Sequence, residues 1–314
     1  MGRALLRRLL ATLPVMLSVA FFVFSLLYLA PGDPAAVIAG DQASPEQIAR
    51  IRASLGLDRP FLVRFAEWLW QLAHGDLGTS IFTNLPVSHL IAQRLEPTLS
   101  LMVLTLLVSV LIAVPLGVTA AARAGGGLDR AIMVFAVFGF STPVFVVGYL
   151  LAYVFALRLH LLPVQGFVPI SQGFGPFLAS LILPAMTLGT IYIALIARMT
   201  RAALLDVLGE DYIRTARAKG LGPGRVLFIH ALKAAAPPLL TVIGIGVALL
   251  IGGAVVTESV FAIPGLGRLT VDSILRRDYP VIQGVVLLFS FAYVLVNLLV
   301  DLLHVVFDPR IRSR

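Results

Sequence analysis

Apolar residues in this chain fall in long, nearly unbroken runs, with little strict alternation between them. A hydrocarbon layer about 30 Å thick is crossed by roughly 20 helical residues at 1.5 Å rise each, and six runs reach that length. They predict spans over Leu9 to Ala30, Thr98 to Ala122, Arg130 to Leu157, Phe177 to about Arg198, Pro238 to Phe261 and Val281 to Phe307. Pro31-Gly32-Asp33-Pro34 ends the first, because proline cannot continue a helical hydrogen-bond ladder and restricts the residue before it. Pro115, Pro143 and Pro184 sit inside later runs, where neighbouring helices can satisfy the carbonyls they free. The expected fold is an all-α integral membrane protein of about six transmembrane helices.

A long polar segment, reaching to Pro97, separates the first two spans. Within it Ser44 opens a short amphipathic helix, Pro45 to Leu55, and Gly56 closes it. Trp68 and Trp70 follow, in a stretch too polar to span; they suit a membrane interface and a small packed core equally. The domain reading is therefore residues 1–97 as first helix plus outer segment, 98–307 as membrane core with a polar loop at 201–237, and 308–314 as tail.

Composition agrees with lipid as solvent: 59% of residues are hydrophobic and 13% charged, and the mean hydropathy is +0.98. The net charge of +8 would suggest nucleic acid in a soluble protein, but the basic residues cluster at span ends, a topological pattern. With the N-terminus inside, 15 of the 24 lysines and arginines face the cytoplasm. Both termini are then cytoplasmic. Arg3, Arg7 and Arg8 precede an apolar run too long for a cleaved signal core, and Leu29-Ala30-Pro31 makes a poor cleavage site.

Catalytic chemistry finds little footing. The chain has no cysteine, so thiolate nucleophiles and thiolate metal sites are excluded. Its two lysines, Lys219 and Lys233, are followed by glycine and alanine, so no P-loop exists, and the five histidines are too dispersed for a local ligand pair. An enzyme is not expected, and no metal or cofactor site is assigned.

The loop Arg201 to Leu240 is more polar than a turn between spans requires. Gly209 interrupts the preceding helix, Glu210 and Asp211 suit a new N-terminus, and Arg217 and Lys219 suit its C-terminal end. Gly220 supplies a left-handed closing residue before Gly222-Pro223-Gly224. The result is a short exposed helix whose small residues, Ala216 and Ala218, would let a partner approach closely. A solvated connector is the alternative on local physics.

Several stretches together resemble the permease subunits of binding-protein-dependent ABC importers of the dipeptide, oligopeptide and nickel family. They are Gly75-Asp76-Leu77-Gly78 with Ser80 and Pro86-Val87; Arg94 with Thr98-Leu99; Tyr212 to Leu221; Glu258 to Gly267; Arg277-Asp278-Tyr279-Pro280; and Asp308-Pro309-Arg310. The long outer segment resembles the longer of the two permease types. The resemblance implies a type I ABC importer permease fold in a bacterial or archaeal inner membrane. It makes Glu210, Asp211, Tyr212, Arg214, Thr215, Ala216, Arg217, Ala218, Lys219 and Gly220 the helix that couples to ATPase subunits. Aligning Gly220 with the family's glycine puts Arg214, Thr215 and Ala216 where a Glu-Ala-Ala triplet usually stands. Implied partners are a second related permease, two cytoplasmic ATPases that use ATP, an extracytoplasmic solute-binding protein and the bilayer, with no nucleic acid. Di- and oligopeptides are the expected cargo. Nickel or another small solute is the alternative, and a secondary transporter or channel the rival class.

Two acids fall inside apolar runs, where a charge costs about 2.5–3.5 kcal/mol near the bilayer centre on insertion scales. Asp301, with His304 three residues on, reads as a structural pair. Glu258 precedes Phe261, Pro264 and Gly265, a turn-rich segment that could form an outer gate; Gly244, Ala248 and Gly252 would pack its helix against a neighbour. A carboxylate capping that segment's backbone amides is the equal alternative for Glu258.

Overall fold

The computed structural model describes the backbone of residues 2–29, 34–40, 43–54 and 56–307. Those residues form helices α1 (Gly2–Leu29), α2 (Pro34–Ala39), α3 (Pro45–Ser54), α4 (Phe61–Ala73), α5 (Val87–Ala122), α6 (Gly127–Ser141), α7 (Val144–Leu151), α8 (Phe174–Leu208), α9 (Asp211–Ala218), α10 (Pro223–Arg225), α11 (Leu232–Val260), α12 (Leu266–Arg276) and α13 (Tyr279–Phe307). By length and composition five are able to cross a membrane, and a sixth span results if α6 and the stretch Val144–Arg158, bent against each other by 106°, count as one. The chain divides into two compact units, Met1–Arg94 with Leu269–Val294 and Leu95–Arg268 with Leu295–Arg314.

In the first unit α1 packs against α4. Ala20, Val23, Phe24 and Leu27 are buried on α1, and the Phe24 ring lies 5.4 Å from Phe65 and 5.2 Å from Trp68 between centroids. The paired tryptophans therefore separate: Trp68 joins this core while Trp70, two residues and some 200° further round the helix, is 70% exposed. Ser44 and Gln47 form a reciprocal capping box on α3, with Ser44 N–H donating to Gln47 Oε1 at 2.9 Å and Gln47 N–H to Ser44 Oγ at 3.3 Å. Gly56 has the expected positive φ, 62°.

The polar segment ends earlier than the sequence suggests, because α5 begins at Val87 and runs straight through Pro97. Val87, Leu90 and Ile91 are buried, each contributing about 1.5–3 kcal/mol. Together they outweigh the roughly 3 kcal/mol an interior proline costs.

In the second unit α8 is the hub. In its most apolar stretch 67% of residues are buried, against 22–33% in the other four single-helix spans. It is one continuous helix to Leu208, with Pro184 inside it. Pro143 behaves differently. The predicted span from Arg130 to Leu157 is cut there, and its two halves meet at 106°. Thr142 is extended (φ −85°, ψ 127°), as a residue before proline prefers, and its N–H and hydroxyl both donate to Phe138 O, at 3.0 and 2.7 Å. Beyond α7 the chain continues as a π-helix, Ala152–Arg158, and a second π-helix, Val226–Ala231, leads into α11.

Candidate functional site

The loop between α8 and α11 folds as its residues dictate. Glu210 is the extended N-cap of α9 (φ −70°, ψ 147°) and Asp211 occupies its first turn, where a carboxylate complements the helix dipole. At the other end Leu221 N–H donates to Ala216 O at 3.3 Å and Gly220 N–H to Arg217 O at 2.9 Å, the double closure of a Schellman motif. That closure demands a left-handed residue, and Gly220 supplies it at φ 79°.

Two faces of α9 follow. Ile213 and Ala216 point inward and are buried among Val118 and Ala121 of α5, Ala203 and Leu204 of α8, Val226 and Ala231 of the π-helix, and Ala235 and Leu239 of α11. Tyr212, Arg214, Thr215, Arg217, Ala218 and Lys219 are exposed. Of the two small residues, then, only Ala218 is open to a partner; Ala216 brings the backbone close to the chain's own helices instead. Arg214 Nη1 pairs with Asp211 Oδ1 at 3.3 Å, with both side chains exposed. Burial, and next the Glu210 carboxylate, push the Tyr212 phenol above its ordinary value, so it stays a hydrogen-bond donor at this surface. Nearby, Arg201 Nη2 donates to Asp129 Oδ2 at 2.7 Å, and Gly125 N–H donates to the same oxygen at 2.9 Å. This part-buried pair ties α8 to the first turn of α6 and the loop before it. Neither residue is among the site residues expected from the sequence, although an acid in the first turn of a span amid arginines is a visible signal.

At the far end of α11, Glu258 has no exposed surface. Its Oε1 accepts the Thr98 hydroxyl at 2.6 Å and its Oε2 accepts Arg268 N–H at 2.9 Å, while Thr98 Oγ1 accepts Leu266 N–H at 2.8 Å. A Cβ on Gly265 would lie 2.2 Å from Glu258 Oε1. Phe261 is 2% exposed, and of the gate candidates Pro264 alone is open. Gly244 packs inside the chain, since a Cβ there would meet Val300 Cγ2 at 2.3 Å, whereas Gly252 faces open space. The side chains of Asp301 and His304 lie outside the described residues.

In the first unit the Gly75–Val87 and Arg277–Pro280 motifs, remote in sequence, meet. Ser80 Oγ donates to Asp278 Oδ2 at 2.5 Å and Ile81 N–H to Asp278 Oδ1 at 3.2 Å. Both Ser80 and Asp278 are buried. No periodicity in either segment announces the contact.

The chain matches the family model described as binding-protein-dependent transport system inner membrane component over residues 113–313, and the N-terminal model of the same membrane components over residues 1–102. It is 55% identical to a probable peptide ABC transporter permease protein, y4tP, of Sinorhizobium fredii, covering 99% of this chain and 100% of that one. It is 42% identical to the dipeptide transport system permease protein DppB of Escherichia coli, covering 99% and 98%. Among solved structures it resembles the MetNI methionine ABC transporter in inward-facing conformations, with TM-score 0.60 and 20% identity over 70% of this chain and 97% of that one. That likeness supplies the fold, a type I ABC importer permease.

Proposed function

The chain belongs to the family of binding-protein-dependent transport system inner membrane components, and from that premise we propose that it is the permease subunit of an ATP-driven importer of short peptides. The cargo is inferred from relatives that match it end to end and are named for peptide and dipeptide transport. A second, related permease supplies the other half of the pathway, two cytoplasmic ATPases supply the energy, and a solute-binding protein delivers the peptide. Both termini and α9 face the cytoplasm, on the strength of the arginine distribution.

The observation that carries the coupling role is the two-sided character of α9. Its charged face is exposed while Ile213 and Ala216 are embedded among the ends of α5, α8 and α11. A force on the exposed face therefore moves three spans together, because close-packed apolar contacts transmit displacement with little compliance. ATP drives the cycle in so far as it binds one arrangement of the complex more tightly than the other.

Deleting the chain from cells that need a dipeptide as their source of a required amino acid should abolish growth. Returning it should restore growth, except when the partner ATPase carries a disabled nucleotide site. Growth that ignores the ATPase, or loss of nickel uptake with dipeptide uptake intact, would sink the proposal.

A further inference from the structure

We propose that a pocket in the first unit, between α4 and the place where Gly78 meets Pro280 at the start of α13, binds a short peptide by its charged ends. This rests on the peptide-import reading and adds a site to it. The cavity holds about 430 Å³, within the range of roughly 300–1,000 Å³ typical of small-molecule sites. Arg64, Glu67, Trp68 and Gln71 line one side, at spacings that put them on a single helix face. The opposite side is built from the two motifs for which coupling has no use. Gly78, at φ 83°, would place a Cβ 3.7 Å from the Pro280 Cβ, and the Ser80 and Asp278 contact holds this wall in place.

The charged and amide groups on the cavity wall point to a zwitterion. Gln283 lines the cavity at 8% exposure, and its side-chain amide can both donate and accept a hydrogen bond. Arg59 and Glu67 are paired with each other at 2.8 Å, with side chains 61% and 52% exposed, and an exposed pair holds together weakly. Arg64 is committed elsewhere, bonded to the Tyr28 hydroxyl and stacked over the Phe24 and Tyr28 rings.

The cavity thus offers a carboxylate for an ammonium, a guanidinium for a carboxylate, the amides of Gln71 and Gln283 for a peptide group, and the Trp68 indole for an apolar side chain. A metal ion would be repelled by Arg59. A purely apolar solute would desolvate both charges and both amides without compensation. A free-ended peptide satisfies all of them.

Ala53 lies on the rim and is exposed, and the chain has no native cysteine, so Ala53→Cys reports on occupancy. The assembled transporter, in phosphatidylcholine nanodiscs and without its solute-binding protein, is labelled with a maleimide, and labelling is read from the mass of this chain. Alanyl-alanine at about twice its Kd should slow labelling about threefold by mass action, while N-acetyl-alanyl-alanine amide should leave it unchanged. Glu67→Gln and Gln283→Leu should each remove the protection while leaving the rate without peptide as it was, which separates lost binding from lost fold. Equal protection by the blocked analogue, absence of protection, protection that survives both substitutions, or protection by phosphatidylethanolamine in place of peptide would overturn the proposal. Uptake of alanyl-alanine by the same complex with its solute-binding protein restored reads the underlying function separately. Uptake without protection removes the pocket alone, whereas protection without uptake removes the import reading.

Discussion

Glu258 is fully buried and held from both sides. Its two oxygens accept from Thr98 and Arg268, and Gly265 has no side chain because the carboxylate occupies that space. Glu258→Gln replaces one acceptor with an NH₂ group facing a donor, and losing a hydrogen bond to a buried charge costs about 1.5–3 kcal/mol. Gly265→Ala pushes a methyl into the carboxylate and should cost about 1–3 kcal/mol by overpacking. Both variants should lower the thermal midpoint of the detergent-solubilised protein. If Glu258 is a joint, cationic and neutral peptides should lose transport equally; selective loss for cationic peptides at unchanged stability would make it a charge facing the pathway.

At the scale of elements, α9 depends on how it ends. Gly220 is left-handed, yet a Cβ there would meet nothing within 4 Å, so any substitution acts through the backbone alone. A non-glycine residue in that conformation costs about 1–2 kcal/mol, and asparagine tolerates it far better than a β-branched residue. Gly220→Val should insert yet fail to retain or stimulate the ATPases, while Gly220→Asn should keep most of the stimulation. Wild-type peptide-stimulated ATPase activity in Gly220→Val would remove α9 from the coupling role. The contrast between Pro97, Pro184 and Pro143 belongs here too. Local chemistry is the same at all three, but packing carries the helix through the first two, whereas at the third Thr142 takes the extended conformation and the helix turns by 106°.

For the whole molecule, the arginine distribution makes orientation testable. Ala73 and Ala218 are both exposed, at the end of α4 and on α9. With each replaced singly by cysteine, an impermeant thiol reagent applied to intact cells should label Ala73→Cys and spare Ala218→Cys until the membrane is opened. The reverse pattern would invert the topology and take α9 away from any cytoplasmic ATPase.

Much of this protein is legible in one dimension. The spans appear because hydrocarbon demands about 20 apolar residues at a stretch. The α9 helix appears because Gly209, Glu210, Asp211 and Gly220 encode its ends through backbone and dipole preferences that act within a few residues. Contacts between distant segments have no such local signature. Only the tertiary structure brought Ser80 to Asp278, Thr98 to Glu258 and Arg201 to Asp129. It also turned Ala216 inward, separated Trp68 from Trp70, and joined residues 269–294 to the first unit. Each of these depends on which faces meet, and that is settled by the packing of the whole chain, which no local window contains.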